Sequence, residues 1–282
     1  MSMRRAPPRR AKRPLAKKRK SVLIVGGAGR MGRLFARYFR RGGFDVEICD
    51  PADTLPGFPS APLERAASAD VVVVAASLSR SAETLAAVAA KRPKGLLFDI
   101  ASVKAPLLPV LEAARLGGLS VASVHPMFGP TVRSLRRHGL IVCDCGDARA
   151  ARRARKLFEG SGLRIATMPV AEHDPWIART MGLTHALALG AAAALAALDV
   201  GPDALDGRAS TSFRRLVELI GPILDQETEL TRMIQAGNPE GEEALIQFER
   251  EMASVRKLLF HEPPSRLDAT IRELRKAFGR RP

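Results

Sequence analysis

The sequence predicts an α/β fold: a Rossmann-like, doubly wound parallel sheet followed by an all-α domain. Three observations carry this. Short apolar runs alternate with helical stretches up to about residue 168, the pattern of successive βαβ units. A glycine-rich turn separates the first apolar run from the first helical stretch. After about residue 170 the period changes to that of helices and no strand pattern returns.

The elements follow in order. Residues 21–25 (SVLIV) read as a short buried strand, and 31–41 as a helix with Leu34, Phe35 and Phe39 on one face. Residues 44–50 (FDVEICD) alternate like a second strand; 71–75, 95–100 and 119–124 supply the next three. Helical stretches lie between several of them, notably 81–91 and 104–115. A sixth strand at 139–143, a basic helix at 147–160 and a seventh strand at 163–168 complete the sheet. Helices are expected beyond it at 172–198, 203–219, 222–236, 240–260 and 264–278, punctuated by Pro and Gly at 201–202, 221–222, 238–241 and 263–264. The stretch 181–198 is apolar on nearly every face, so burial on all sides is expected. A helical segment built around it is expected to complete its core by forming a homodimer. The domains are therefore drawn as a tail (1–20), a dinucleotide-binding domain (21–168) and a helical dimerisation and substrate domain (169–282).

The formal net charge of +16 says less than its size suggests. Residues 1–20 hold ten Lys and Arg and no acid; without them 35 basic residues stand against 29 acidic ones. The tail lacks the apolar stretch of a signal peptide and is too polar to offset its ordering entropy, so disorder is expected. Nothing downstream resembles a nucleic-acid module and no aromatic residue interleaves with the basic ones, which argues against nucleic acid as a partner. Three cysteines, Cys49, Cys143 and Cys145, fit a reducing cytoplasm better than a disulfide framework. Cys143 and Cys145 lack a second ligand pair, so no metal is expected. The apolar run 186–198 is too short to span a bilayer, and a soluble cytoplasmic protein with no membrane contact is expected.

Gly27, Gly29 and Gly32 match G-x-G-x-x-G, and the motif lies between a strand and a helix as it must. The glycines allow a tight turn and close approach of a pyrophosphate to the helix N-terminus. Arg30 and Met31 lie inside the motif. Asp50 ends the second strand, 18 residues beyond Gly32. A carboxylate there accepts hydrogen bonds from ribose hydroxyls and repels a 2′-phosphate, so NAD is favoured over NADP. Arg30 is the one feature that would tolerate a phosphate.

Asp50, Ser77, Ser102 and His125 each fall just past a predicted strand. In a parallel sheet they share the carboxyl edge, where ligands bind. A histidine there can exchange a proton near neutral pH. Each also has a plain structural reading: Ser77 and Ser102 as helix caps, His125 as a satisfied core histidine.

Asp99-Ile-Ala-Ser-Val-Lys104, His125-Pro-Met-Phe-Gly-Pro130, Glu172-His-Asp174 and Thr184-His185, in that order, resemble the prephenate/arogenate dehydrogenase family from about residue 21 to about 240. The resemblance implies NAD-dependent oxidation of a ring hydroxyl with loss of carbon dioxide, which for prephenate yields 4-hydroxyphenylpyruvate on the way to tyrosine. It implies that His125 accepts the hydroxyl proton, that Ser102 bonds that histidine and the hydroxyl, that His185 lies near the substrate, and that the helical domain dimerises. His173 is read as structural first, since Glu172-His173-Asp174 also suits a helix start. One position departs from the pattern. Where such enzymes usually carry an arginine that clamps a substrate carboxylate, alignment through Gly221 and Gln226 puts Pro222. Arg214 and Arg133 are candidates to replace it, and both are equally readable as surface charges. Arogenate and 4-amino-4-deoxyprephenate therefore stand beside prephenate as substrates. A β-hydroxyacid dehydrogenase shares the glycine opening and the helical second half. That class needs a lysine base in the second domain, and no lysine lies between Lys156 and Lys257. A non-catalytic NAD-binding protein is the remaining alternative.

Overall fold

A computed structural model describes residues 19–51, 54–201 and 207–280. The tail expected to be disordered lies outside the described residues as far as residue 18. Seven strands form one sheet: β1 (Ser21–Val25), β2 (Asp45–Cys49), β3 (Val71–Val74), β4 (Leu96–Asp99), β5 (Ser120–Met127), β6 (Gly139–Asp144) and β7 (Arg164–Pro169). Their order is β2-β1-β3-β4-β5-β6-β7. All neighbours are parallel except β5 and β6. The chain leaves β1 for β2 on one side and pairs β1 with β3 on the other, so a switch point opens beside the end of β1.

The central strands are apolar on both faces because helices cover both faces. Val22 and Ile24 join one cluster with Phe35, Phe39, Phe98 and Phe158. Leu23 and Val25 face the other way, into a cluster with Leu85, Val88, Leu107 and Leu111. Of these anchors, Phe35 and Phe39 come from α1 (Arg30–Arg41), Leu85 and Val88 from α2 (Ser81–Ala90), Leu111 from α3 (Leu108–Leu116), Leu107 from the 3₁₀ turn before it, Phe158 from just past α4 (Ala148–Lys156) and Phe98 from β4 itself. Asp147 caps α4 by accepting from the amides of Arg149 and Ala150.

The fifth strand is longer than the sequence suggests, running through His125 and Pro126 to Met127. β4 ends where Asp99 lies opposite Ser123, so the last part of β5 pairs only with β6, with His125 opposite Ile141. A proline is tolerated there because no β4 neighbour needs its missing N–H. His125 is therefore held on a strand rather than on a turn, two residues beyond the carboxyl end of β4.

The helical half begins with α5 (Val170–Ile177), a π-helical turn (Ala178–Gly182) and α6 (Leu183–Ala197). They run as one helix of 28 residues, long and apolar enough by length and composition to cross a membrane. The expectation of too short a run therefore does not hold, because the apolar stretch continues an earlier helix. Its N-terminal part carries His173 and Asp174, both buried against the sheet domain. The expectation that 181–198 is buried on all sides also fails in the single protomer: α6 buries only His185 and Ala188.

Next come α7 (Thr211–Leu224), α8 (Thr228–Ala236), α9 (Gly241–Phe260) and α10 (Pro264–Ala277). Ser210 caps α7 by accepting from the Phe213 amide at 3.1 Å, so the helix starts later than 203 and part of the predicted start lies outside the described residues. It also continues through Pro222 instead of breaking at 221–222. Pro222 sits in the last turn, and Gly221 before it has no Cβ to meet the ring.

Candidate functional site

The glycine turn is built around close backbone approaches. Gly26 has φ +79°, and a Cβ there would lie 2.7 Å from the carbonyl oxygen of Ala75, just past the end of β3 across the switch point. A Cβ on Gly32 would meet Gly26 O and would lie 2.7 Å from the Gly27 Cα, so Gly32 lets α1 start directly against the turn. The motif as read from sequence begins at Gly27; Gly26 is needed as well. Gly29 is the exposed N-cap of α1 and no side chain caps that helix. Its first-turn amides and positive dipole end suit a phosphate group, so the turn fits a dinucleotide. Arg30 is the exposed first residue of α1, with its guanidinium 3.9 Å from Glu227 across the domain seam. Met31 packs against the core behind the turn.

Asp50 lies just past β2 and its Oδ2 accepts from the Ala28 amide at 3.0 Å. The carboxylate is thus fastened to the glycine turn, beside the space a dinucleotide ribose would occupy past β2. Ser77 lies past β3 and starts the 3₁₀ turn Leu78–Arg80; its side chain does not cap that turn. Ser102 is half-buried past β4. The expected hydrogen bond from Ser102 to His125 is not formed.

His125 is 2% exposed, and its partner is His173 of α5, with His125 Nδ1 2.9 Å from His173 Nε2. His173 Nδ1 in turn lies 2.6 Å from Asp174 Oδ1. The Asp174 carboxylate also accepts from the amides of Lys104, at 2.9 and 3.0 Å, and Ala105, at 2.6 Å. Asn238 donates to the Asp174 carbonyl at 2.8 Å. A second fastening sits behind the histidine. The Lys104 ammonium is fully buried and donates to Asp99 Oδ1 (2.8 Å), Ala101 O (2.7 Å) and Val124 O (2.9 Å). Three donors meet three acceptors, the condition for keeping an ammonium out of water. The Val124 carbonyl is the one immediately before His125.

Burial holds His125 well below the usual histidine range, helped by competition with His173 for a proton and by the Lys104 ammonium. Burial also lowers His173, although its bond to Asp174 opposes this. For Asp174, burial raises the pKa, but the bonds from His173, Lys104 and Ala105 outweigh it and the net direction is down. At neutral pH the group is therefore two neutral imidazoles in series on an ionised carboxylate. The Cys143 thiol, buried on β6, is pushed up to about 12, chiefly by burial, so it stays protonated.

His185 is buried on α6 with its Nδ1 lacking a partner among the described residues, and burial lowers its pKa. Gln226 Oε1, just after α7, is likewise buried and unpaired. Arg214 on α7 and Arg133 after β5 are both exposed. A shallow apolar hollow between α2 and α3, lined by Ala86, Ala89, Val110 and Ala113, lies toward the opposite end of the strands from this site.

The structure brings His125, Asp50 and the glycine turn to the carboxyl edge where the sequence reading put them, but the hydrogen-bond partner of His125 is His173 and not Ser102. The pairing of His173 and Asp174 with the sheet domain spans 48 and 70 residues, and no local pattern announces it. A charged Lys104 five residues after Asp99 in an otherwise apolar stretch was the available signal for the buried ion pair.

Residues 57–167 match the family described as prephenate dehydrogenase, nucleotide-binding domain, and residues 169–273 match prephenate dehydrogenase, dimerization domain. A probable arogenate/prephenate dehydrogenase of Methanocaldococcus jannaschii is 27% identical over 273 residues, 92% of this chain and 61% of that protein. A 4-amino-4-deoxyprephenate dehydrogenase of Streptomyces pristinaespiralis is 30% identical over 274 residues, 91% of this chain and 90% of that protein. The chain thus spans under two thirds of the first relative's length and nearly all of the second's. Among solved structures, prephenate dehydrogenase from A. aeolicus, in complex with hydroxyphenyl propionate and NAD+, superimposes with a TM-score of 0.72 at 20% identity, covering 94% of this chain and 98% of that one. With both halves of the chain matched in order, and with the fold shared almost end to end, the chain belongs to the prephenate dehydrogenase family.

Proposed function

We propose that this chain catalyses the NAD-dependent oxidative decarboxylation of a cyclohexadienyl substrate of the prephenate type. The observation that carries this reading is the position of His125. It sits two residues beyond the carboxyl end of β4, on the edge that holds the glycine turn, in the seam between the sheet and the helices. The histidine is neutral at physiological pH and can accept the proton of a ring hydroxyl. Bound on the glycine turn, NAD+ would supply the hydride acceptor. As the O–H proton goes to His125 and the carbon–hydrogen bond gives up its electron pair, the ring carbon becomes a carbonyl. The bond to the ring carboxylate then breaks, carbon dioxide leaves, and its electron pair makes the ring aromatic. The proton held on His125 returns to the phenolate oxygen. Aromatisation makes the sequence downhill, so the protein's task is mainly positioning.

Gly26, Gly27, Gly29 and Gly32 would admit the pyrophosphate to the α1 N-terminus, with Met31 behind the turn. Asp50 would take the ribose hydroxyls, which favours NAD over NADP. Ser77 lies on the cofactor side of the edge. Ser102, half-buried beside the histidine's edge, would meet the substrate hydroxyl rather than His125, and His185 would offer its unpaired Nδ1 to the substrate. Arg214 and Arg133 remain the candidates for a substrate carboxylate. The likeness to the Streptomyces protein gives the 4-amino analogue weight equal to prephenate. A neutral base serves an amine as well as an alcohol. The poorly buried α6 is proposed to be covered by a second copy of the chain, and its three unpaired cysteines suit the cytoplasm.

Reduction of NAD+ assayed separately with prephenate, arogenate and 4-amino-4-deoxyprephenate tests the proposal. Turnover with at least one is expected. No NADH from any of them, in folded protein that binds NAD+, would leave a non-catalytic NAD-binding protein.

A further inference from the structure

We infer that His173 and Asp174 are positioning residues that set the tautomer of His125, leaving Nε2 as its only proton-accepting atom; the inference deepens the reading of His125 as the base. The argument is a count of donors and acceptors starting from Asp174. An ionised carboxylate has only acceptors, and here it already takes the amides of Lys104 and Ala105. The His173 Nδ1 at 2.6 Å must therefore carry a hydrogen and donate. A neutral imidazole has one N–H, so His173 Nε2 is an acceptor. The His125 Nδ1 facing it at 2.9 Å must then be the donor. With its one hydrogen on Nδ1, His125 has its lone pair on Nε2. That nitrogen makes no hydrogen bond among the described residues. It is also not one of the fully buried unpaired atoms, which are Asp99 Oδ2, Ser123 Oγ, His185 Nδ1 and Gln226 Oε1.

The carboxylate's own position depends on the other domain. Asp174 is on α5, but its oxygens are held by the β4–α3 connection, and Lys104 in that connection also grips the Val124 carbonyl. The tautomer is thus correct only when helix and sheet are docked. The titratable groups acting on His125 are His173 from α5 and Lys104 from the β4–α3 connection, and behind them stand the carboxylates of Asp174, bonded to His173, and Asp99, bonded to Lys104. When His125 takes the substrate proton, the resulting imidazolium sits two hydrogen bonds from a carboxylate, which stabilises it in an otherwise dry site.

Asp174→Asn keeps the shape and breaks the count. The single amide oxygen is required by the Lys104 and Ala105 amides, so the NH₂ group faces His173 Nδ1. Each imidazole then reverses, and His125 carries its hydrogen on Nε2, where it cannot accept one. Tautomer reversal behind a catalytic histidine costs about 10⁴-fold in kcat in the serine-protease triad, and a loss of about 10²–10⁴-fold is expected here. The direct readout is the ¹⁵N long-range NMR spectrum of histidine-labelled protein without substrate. Wild type should show His125 and His173 both protonated on Nδ1, and Asp174→Asn should show both protonated on Nε2, with NAD+ affinity unchanged. His173→Gln, whose amide oxygen can accept from His125 Nδ1, should retain the Nδ1–H form of His125 and most of kcat. A wild-type His125 protonated on Nε2 overturns the inference even if no variant folds. An inactive wild type with the expected tautomers would instead count against the proposed function alone.

Discussion

The two halves of the chain solve the burial problem differently. In the sheet half, β3 and β4 are buried from end to end and β1 from Val22 onward, and apolar clusters fill both faces. In the helical half, α6 has little polar character and yet buries two residues, while Leu187, Leu198, Val255, Leu259 and Phe260 are exposed. The difference teaches that the first half closes its core within the protomer while the second leaves an apolar face uncovered, the face proposed above to meet a second copy. Burying apolar surface contributes roughly 25 cal/mol per Å², so an uncovered helix of this kind is a strong driving force for association. The polar contacts that matter most lie where the halves meet.

The largest test acts at that seam. His125→Asn should lower kcat by about 10²–10⁴-fold, with NAD+ affinity and oligomeric state retained. Near-wild-type turnover would remove the seam from the chemistry. Next, Lys104→Met leaves the Asp99 carboxylate buried without its ammonium, which costs about 3–5 kcal/mol. Denaturant unfolding should show that loss in the sheet half. A cost under about 1 kcal/mol would mean the pair is not what braces the carboxyl edge.

A smaller, pH-linked effect separates the halves further. His125, His173 and His185 all have pKa values lowered by burial. The unfolded chain protonates its histidines near 6.5 and the folded one resists, so below that pH the unfolded state binds more protons. Stability is therefore full above the unfolded pKa and falls as pH drops from about 6.5 toward the folded values, by up to about 1.4 kcal/mol per pH unit for each histidine. Asp174, lowered in the folded state, contributes stability that is lost only further down, below its ordinary value of 3.8. Guanidinium midpoints that stay flat between about pH 7 and pH 5 would contradict this. The smallest effect on the protomer should come from Leu187→Glu, on the exposed surface of α6. It should change protomer stability by no more than about 0.5 kcal/mol yet, with the dimer proposed through α6, shift the sedimentation coefficient from that of a dimer to that of a monomer. An unchanged dimer would place the interface elsewhere.

Legibility in the sequence divides along the same line. The strands of the sheet half were readable because buried parallel strands are continuous apolar runs, and the glycine turn because its conformation excludes side chains. The strand that carries His125 was read three residues short, since Pro126 looks like a stop until β6 pairs alongside it. The helix α7 was misplaced because Pro222 is tolerated in a last turn after a glycine. Arg214 and Arg133 gained no role from their exposed positions. Ser102 was assigned as the partner of His125, and His173 took that place instead.

The order of elements, the glycine turn and the placing of a histidine at the carboxyl edge of the sheet follow from sequence alone, because each rests on local chemistry: periodicity, glycine conformation, a histidine after a strand. The pairing His125–His173–Asp174, the Lys104 brace and the exposure of α6 were decided only in three dimensions. Those contacts join residues far apart in the chain, and hydrogen-bond partners and covered faces are properties of what the folded elements bring together.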